Sequence, residues 1–240
     1  MSNPTAAMLV IGDEILSGRT RDSNLHYLAK ALTGHGINLR EARVIADDPD
    51  AIVNAVRELS ATYTHVFTSG GIGPTHDDIT ADNVARALGA PIGVRDDARA
   101  LLEAHYARTG QKLNEARLRM ARIPDGAELI DNPISIAPGF SLKNVHVMAG
   151  VPAIFEAMLQ GLLPRLTGGA PVLSQSLTVM RPEGDVAAPL RDLAARYPDL
   201  SMGSYPFQRE GAFGTQLVIR GSDAARLDTA MAELKDLVSE

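Results

Sequence analysis

The chain contains no cysteine and no tryptophan. Without cysteine there can be no disulfide, no thiolate metal site and no sulfur nucleophile, which fits a cytoplasmic location. Aromatic residues make up only 4%, so stacking on aromatic rings is not a general binding device here. No block of Lys or Arg occurs, and the formal net charge is −6. That argues against a nucleic-acid partner, because neutralising phosphates along a strand needs a basic face. No apolar run approaches the length of a bilayer span, so no membrane partner is expected. Met1 to Ala7 lacks the basic start and long apolar core of a secretory signal. Also missing are the Gly-Lys-Ser/Thr of a phosphate-binding P-loop, the Gly-x-Gly-x-x-Gly dinucleotide spacing at the glycine-rich turn, and a Gly-x-Ser-x-Gly elbow.

What is present suffices for a folded protein. At 240 residues and 45% hydrophobic, the chain can bury one sizeable core, or a larger domain and a small one. Ala6 to Ile11 is a continuous apolar run that stops at Gly12, as a buried parallel strand does. Leu25, Leu28, Ala29 and Leu32 recur at helical spacing, with Asp22 or Ser23 as the cap. Leu39 to Ala46 is a second strand. Ile52, Val53, Val56 and Leu59 form the next helical face, and His65 to Thr68 a third strand. Strands alternating with helices imply an α/β fold with a parallel sheet covered on both faces. A polar helical stretch is predicted from Arg95 to Ala121. Short strands follow near Glu128 to Ile130, Ser135 to Phe140 and Val145 to Met148, then a helix from Pro152 to Leu166. Thr167-Gly168-Gly169-Ala170-Pro171 reads as a linker. Beyond it the order becomes βαββα, a small α+β domain. The predicted division is therefore 1–167 and 171–240.

The densest cluster of special residues is Gly70-Gly71-Ile72-Gly73-Pro74-Thr75-His76-Asp77-Asp78-Ile79-Thr80, between a strand and a helix. Glycines let backbone approach a ligand closely, and the following helix offers free N–H groups and a positive dipole end to a phosphate. Two further loops carry Gly12-Asp13-Glu14, with Asp22 and Asn24 close behind, and Asp47-Asp48. In a parallel α/β sheet these loops share one edge and converge on one crevice. Carboxylates beside a phosphate-cradling turn suggest metal-assisted phosphoryl or nucleotidyl chemistry, with Asp47, Asp77 and Asp78 as ligands. The ion would be hard, such as magnesium, or a transition metal if His76 takes part. Taken singly, each acidic residue reads more readily as a turn or capping residue than as a ligand. His26, His35, His65, His105 and His146 show no ligand spacing and read as surface or packing residues. Ala137-Pro138-Gly139-Phe140 and Ala149-Gly150-Val151-Pro152 read either as rigid turns lining the crevice or as plain strand ends.

These residues carry a resemblance. Ile11-Gly12-Asp13-Glu14-Ile15-Leu16-Ser17-Gly18 with Asp22 and Asn24, the glycine turn, Asn132-Pro133, Ala137-Pro138-Gly139-Phe140 and Gly150-Val151-Pro152 resemble the N-terminal domain of competence/damage-inducible protein A. The likeness runs from about Met8 to Leu166. The glycine turn also resembles the molybdopterin-binding-like domain of eukaryotic FAD synthases, and the chain is more distantly similar to molybdopterin adenylyltransferases. The resemblance implies a three-layer α/β/α molybdopterin-binding fold, a crevice for a small-molecule nucleotide or pterin such as molybdopterin, and a homo-oligomer. It implies metal-dependent hydrolysis of nucleotide diphosphates such as ADP-ribose or FAD, making the chain a nucleotide pyrophosphatase. The alternatives are a molybdopterin adenylyltransferase of molybdenum cofactor biosynthesis and a non-catalytic binding module. The two essential aspartates of the adenylyltransferases map onto Asp47 and Asp78. The substrate-binding set is Gly12, Asp13, Glu14, Asn24, Gly70, Gly71, Gly73, Pro74, Thr75, Pro138 and Gly139. The chain departs from many relatives at Met148-Ala149-Gly150, at Ala153-Ile154-Phe155, and where the glycine before Ala-Pro-Gly becomes Ser135 or Ile136.

Overall fold

The computed structural model describes residues 3–209 and 211–239; Met1 and Ser2 of the N-terminal stretch, and Glu240 of the second domain, lie outside them. The chain forms two compact units, 1–169 and 170–240.

The first unit runs β1 (Thr5–Ile11), α1 (Asp13–Leu16), α2 (Asn24–Gly34), β2 (Asn38–Ile45), α3 (Pro49–Thr62), β3 (His65–Ser69), α4 (Thr80–Leu88), β4 (Ile92–Val94), α5 (Asp96–Thr109), α6 (Glu115–Leu118), β5 (Arg122–Pro124), β6 (Glu128–Ile130), β7 (Gly139–Leu142), β8 (Val145–Met148) and α7 (Pro152–Leu162). Its main sheet has the order β2-β1-β3-β8-β7-β6. The β2, β1, β3 and β8 strands are parallel, while β7 and β6 pair antiparallel at the far edge. The continuous apolar run of β1 is explained by cover on both faces. Ala7, Leu9 and Ile11 pack with Ile52, Val56 and Leu59 of α3 and Val84 of α4. Ala6, Met8 and Val10 pack with Leu28 and Leu32 of α2 and with Phe155, Met158 and Leu159 of α7. This is the expected three-layer α/β/α arrangement, with a mixed, parallel-dominated sheet.

Local chemistry sets the helix ends. Asp48 caps α3, its side chain accepting from the Asp50 and Ala51 amides at 3.1 and 2.8 Å, with Pro49 pre-shaped for the first turn. The predicted helical stretch from Arg95 to Ala121 is broken instead, because Gly110 takes the left-handed conformation that ends α5. The chain then returns through α6 and a 3-10 turn into β5, which pairs with β4 in a two-strand ribbon not expected from sequence. The strand predicted over Ser135–Phe140 starts only at Gly139, because the Asn132 side chain ties up the preceding turn. It donates to the Ser135 hydroxyl and the Ala137 carbonyl and accepts from the Ile134 and Ser135 amides. Of Ser135 and Ile136, it is Ile136 that stands at positive φ (68°), the conformation a glycine adopts without strain.

His65 and His146 lie side by side on β3 and β8, Nδ1 of the first 3.2 Å from Nε2 of the second, and the Ser141 hydroxyl meets His146 Nδ1 at 2.9 Å. Both rings are buried. Burial, then the charges of His65 and Arg165, push His146 from its ordinary 6.5 down to about 3; burial lowers His65 as well. Between those two pH values the unfolded chain binds a proton that the folded chain refuses. The stability present above 6.5 is therefore lost as pH falls toward 3. Thermal melts from about pH 7 to about pH 4 should show a loss on the order of a few kcal/mol, with a shallower slope in His146→Gln. Equal slopes would show that the pair is not the acid-sensitive element.

The second unit runs β9 (Leu173–Val179), α8 (Glu183–Arg196), β10 (Ser201–Arg209), β11 (Ala212–Gly221) and α9 (Ala224–Ser239), the expected βαββα order. Its antiparallel sheet β10-β11-β9 buries Leu217 and Ile219 against Val186, Leu193, Leu227 and Leu234 of the two helices. No described helix in either unit is long and apolar enough to cross a membrane.

Candidate functional site

The loops following β1, β2, β3 and β8 emerge at the carboxyl edge of four adjacent parallel strands, where open α/β sheets bind ligands. Specific bonds pull them together. The Asp13 amide donates to Asp47 Oδ2 at 2.9 Å, joining the loops after β1 and β2. The Gly70 amide donates to the Met148 carbonyl at 3.3 Å, joining those after β3 and β8. Beneath them, the Asn24 amide group donates to the Ser69 hydroxyl at 2.7 Å and the Gly150 carbonyl at 2.8 Å. Asn24 is only 3% exposed. It is thus a clamp under the glycine turn, and its Oδ1 is left without a partner.

The glycines of the turn are required sterically. Gly70 has φ 108°, and a side-chain carbon there would stand 2.2 Å from the Ile11 carbonyl oxygen. Gly71 is pressed against Thr80, whose amide donates to its carbonyl at 3.0 Å. The turn therefore folds onto the first residue of α4. Gly139 is a glycine for a different reason: a side-chain carbon would meet the Val147 carbonyl at 2.2 Å and Met158 at 2.5 Å, so its smallness serves strand packing. Pro138, next to it, does line the crevice.

The glycine turn is flanked by two clefts. One is bordered by Gly71, Ile72, Gly73, Asp78, Arg119 and Pro138. The other is bordered by Glu14, Arg21, Asp22, Asn24, Gly70 and Gly150. Of the sequence candidates, Gly71, Gly73, Asp78 and Pro138 gather at the first, and Glu14, Asn24 and Gly70 at the second. Gly12 sits under the Glu14 carboxylate, which would lie 2.5 Å from any side-chain carbon added there. Pro74 and Thr75 occupy the exposed tip of the loop.

The acidic groups divide unevenly. Asp47 is held above the ordinary carboxylate range, first by burial and then by the charges of Asp13, Glu14 and Asp77, with the Asp13 amide acting the other way. The glycine-loop carboxylate that acts on Asp47 is thus Asp77. The Asp78 carboxylate turns back into its own loop, over Gly73, accepting from the Thr75 amide at 2.8 Å and from the Thr75 hydroxyl. The resemblance names Asp47 and Asp78 as the catalytic pair, and the sequence places Asp77 with them as a candidate ligand; in the structure the Asp78 carboxylate is engaged within its own loop. Asp77 itself is lowered, first by the Thr75 side chain and then by its own backbone amide. His76 is fully exposed, its Nδ1 3.9 Å from Asp77. Among the described residues, no three His, Asp or Glu side chains form a ready set of metal ligands. What is present is all-oxygen and crowded with like charge, which suits a hard cation held by one or two carboxylates and completed by ligand phosphates.

Two residues were missed from sequence. Arg119 arrives at the first cleft from the segment read as one helix, and Arg122 from just beyond it. Arg122 is bound to Asp82 at the start of α4 through Nε, at 3.3 Å, and Nη2. The Arg119 Nη2 donates to the Asp78 carbonyl at 3.3 Å. The polar character of this stretch was visible; its return beside the glycine turn depends on the Gly110 break.

With this geometry in view, comparison with known proteins is informative. Residues 7–168 match the family described as "Probable molybdopterin binding domain", and residues 171–240 match "FAD synthase, middle domain". A "Probable FAD synthase" of Caenorhabditis elegans is 34% identical over 98% of this chain, and the chain spans 50% of that protein's length. A "CinA-like protein" of Desulfosudis oleivorans is 34% identical over 82% of this chain and 51% of its own length. Among solved structures, the CinA protein of Thermoplasma acidophilum, described there as of unknown function, is 34% identical, covers 67% of this chain and 98% of its own, and has a TM-score of 0.62. The matched span takes in all four crevice loops and the Asn24 clamp. The chain thus belongs to the probable molybdopterin binding domain family, joined here to a FAD synthase middle domain.

Proposed function

We propose that the crevice of the first unit hydrolyses a nucleotide diphosphate of the ADP-ribose or FAD type, with a divalent cation. The observation that carries this reading is the Asp13–Asp47 bond. It joins Asp47 to the Asp13-Glu14 loop at the sheet edge shared with the glycine turn, a strand-to-helix turn of the kind whose backbone N–H groups receive a phosphate. The C. elegans and D. oleivorans relatives add support by their names, one of which is that of a flavin-nucleotide enzyme. Asp47 and Asp77 would hold the cation together with substrate phosphate oxygens, and the ion would be magnesium or a similar hard metal. Bound there, the cation neutralises phosphate charge and makes water a better nucleophile.

The chain's own contributions follow from its geometry. Backbone of Gly71 to Gly73 receives one phosphate, and Asn24 keeps the turn in place from below. Asp78 fixes the loop that carries Asp77. No side chain in the crevice is an evident covalent nucleophile, so water attacks phosphorus directly. Its oxygen forms the new P–O bond, the bridging P–O bond breaks, and the bridge oxygen leaves on the second phosphate. ADP-ribose gives AMP and ribose phosphate; FAD gives AMP and FMN.

A panel of ADP-ribose, FAD, ADP and a pterin, assayed for binding and turnover with magnesium, manganese or excess chelator, tests the proposal. Two monophosphates should appear with metal and none with chelator. Adenylyl transfer to the pterin would establish the adenylyltransferase reading instead. Tight binding without turnover would establish a binding module, a reading favoured by the engagement of Asp78 with Thr75.

A further inference from the structure

Arg119 differs from three other arginines of the first unit. Arg86 is paired with Asp50, Arg95 with Asp97 and Arg122 with Asp82. Arg119 is half-buried at the cleft wall, yet among the described residues no carboxylate lies within ion-pair distance of it. Its hydrogen bond to the Asp78 carbonyl is long, at 3.3 Å, and its Nε is buried without an acceptor. A guanidinium has five donors, and leaving them unmet away from water is costly. Its planar fork fits the oxygens of a phosphate.

The surroundings specify what would satisfy it. Arg119 shares its cleft with Gly71, Ile72 and Gly73, the backbone already suited to a phosphate. Arg122 beside it is paired with Asp82, and the Asp78 carboxylate in the same cleft is held by Thr75, so Arg119 is the cation there without a carboxylate bound to it. Elsewhere at the sheet edge, the loops after β1 and β2 bring Asp47 onto the Asp13 amide.

We propose that Arg119 and the Gly71–Gly73 backbone form an anion subsite for one phosphate of a phosphoanhydride, and that this subsite selects diphosphates over monophosphates and uncharged nucleosides. The inference rests on the proposed function and adds to it an orientation. One phosphate lies toward Asp47 and Asp13, where a cation is needed. The other lies at Arg119, where none is.

The test is calorimetric titration of the full chain with a methylene-bridged, non-hydrolysable ADP-ribose analogue, with AMP and with adenosine, in excess chelator and again in magnesium. Arg119→Ala should weaken the diphosphate analogue about ten- to a hundredfold, leave adenosine unchanged and flatten the ionic-strength dependence of binding. Arg119→Lys should recover part of the loss. If the wild type prefers the diphosphate analogue and Arg119→Ala binds it equally well, the subsite is wrong while the proposed function stands. If Arg119→Ala weakens adenosine to the same degree and lowers the melting temperature, Arg119 is structural and the inference fails. If the wild type binds no phosphate compound under either condition, the proposed function itself fails.

Discussion

Asp47→Asn is expected to lower turnover of ADP-ribose or FAD on the order of a hundredfold or more, with no fall in melting temperature. The two effects separate for an electrostatic reason. In the folded protein the Asp47 charge is disfavoured by burial and by Asp13, Glu14 and Asp77. Asparagine removes that repulsion and keeps an oxygen able to accept from the Asp13 amide. Stability should hold or rise slightly, while the charge that would hold the cation is gone. Steady-state kinetics beside a thermal melt decide the matter. Full activity, or a drop in melting temperature that accounts for the lost activity, would make Asp47 a loop-tying residue only.

Gly70→Ala is the substitution expected to damage the first unit most. Its φ of 108° is open to glycine and strained for alanine, and the new carbon would stand 2.2 Å from the Ile11 carbonyl oxygen. That oxygen is backbone at the end of a paired strand, so no flexible side chain can give way. A loss of about 3 kcal/mol or more is expected, roughly 6–12 °C in melting temperature for a domain of this size. Gly161→Ala provides the contrast. It lies within α7 with nothing in range of an added carbon, so it should be neutral or stabilising by about 0.5–1 kcal/mol. Equal melting temperatures for the two variants would mean that the crevice backbone is not tightly determined.

The sequence foretold the parts governed by local pattern and chain order. β1 read as buried on both faces because it is apolar without alternation, and packing on α2 and α3 is what that pattern demands. The convergence of Gly12, Asp47 and the glycine turn followed from strand order alone. Direction and return were harder to read. Nothing in Phe140-Ser141-Leu142 declares that β7 runs antiparallel to β8. The β4–β5 ribbon joins Ile92-Gly93-Val94 to Arg122-Ile123-Pro124, two pieces too short, and too interrupted by Gly and Pro, to register as strands. Arg119 reaches the site only through that return, so no spacing could have flagged it. The direction in which Asp78 points was hidden for a different reason. Thr75 competes for its carboxylate, and three residues of separation do not say whether such a side chain caps its own loop or faces a ligand.

The measurement closest to the central claim is a turnover of ADP-ribose or FAD in oxygen-18 water with magnesium, followed by mass analysis of both products. Attack of water at phosphorus predicts one labelled oxygen on the phosphate of one product, none on any sugar carbon, and no product at all when chelator is present. Label on the ribose carbon would show glycosidic cleavage and contradict the account.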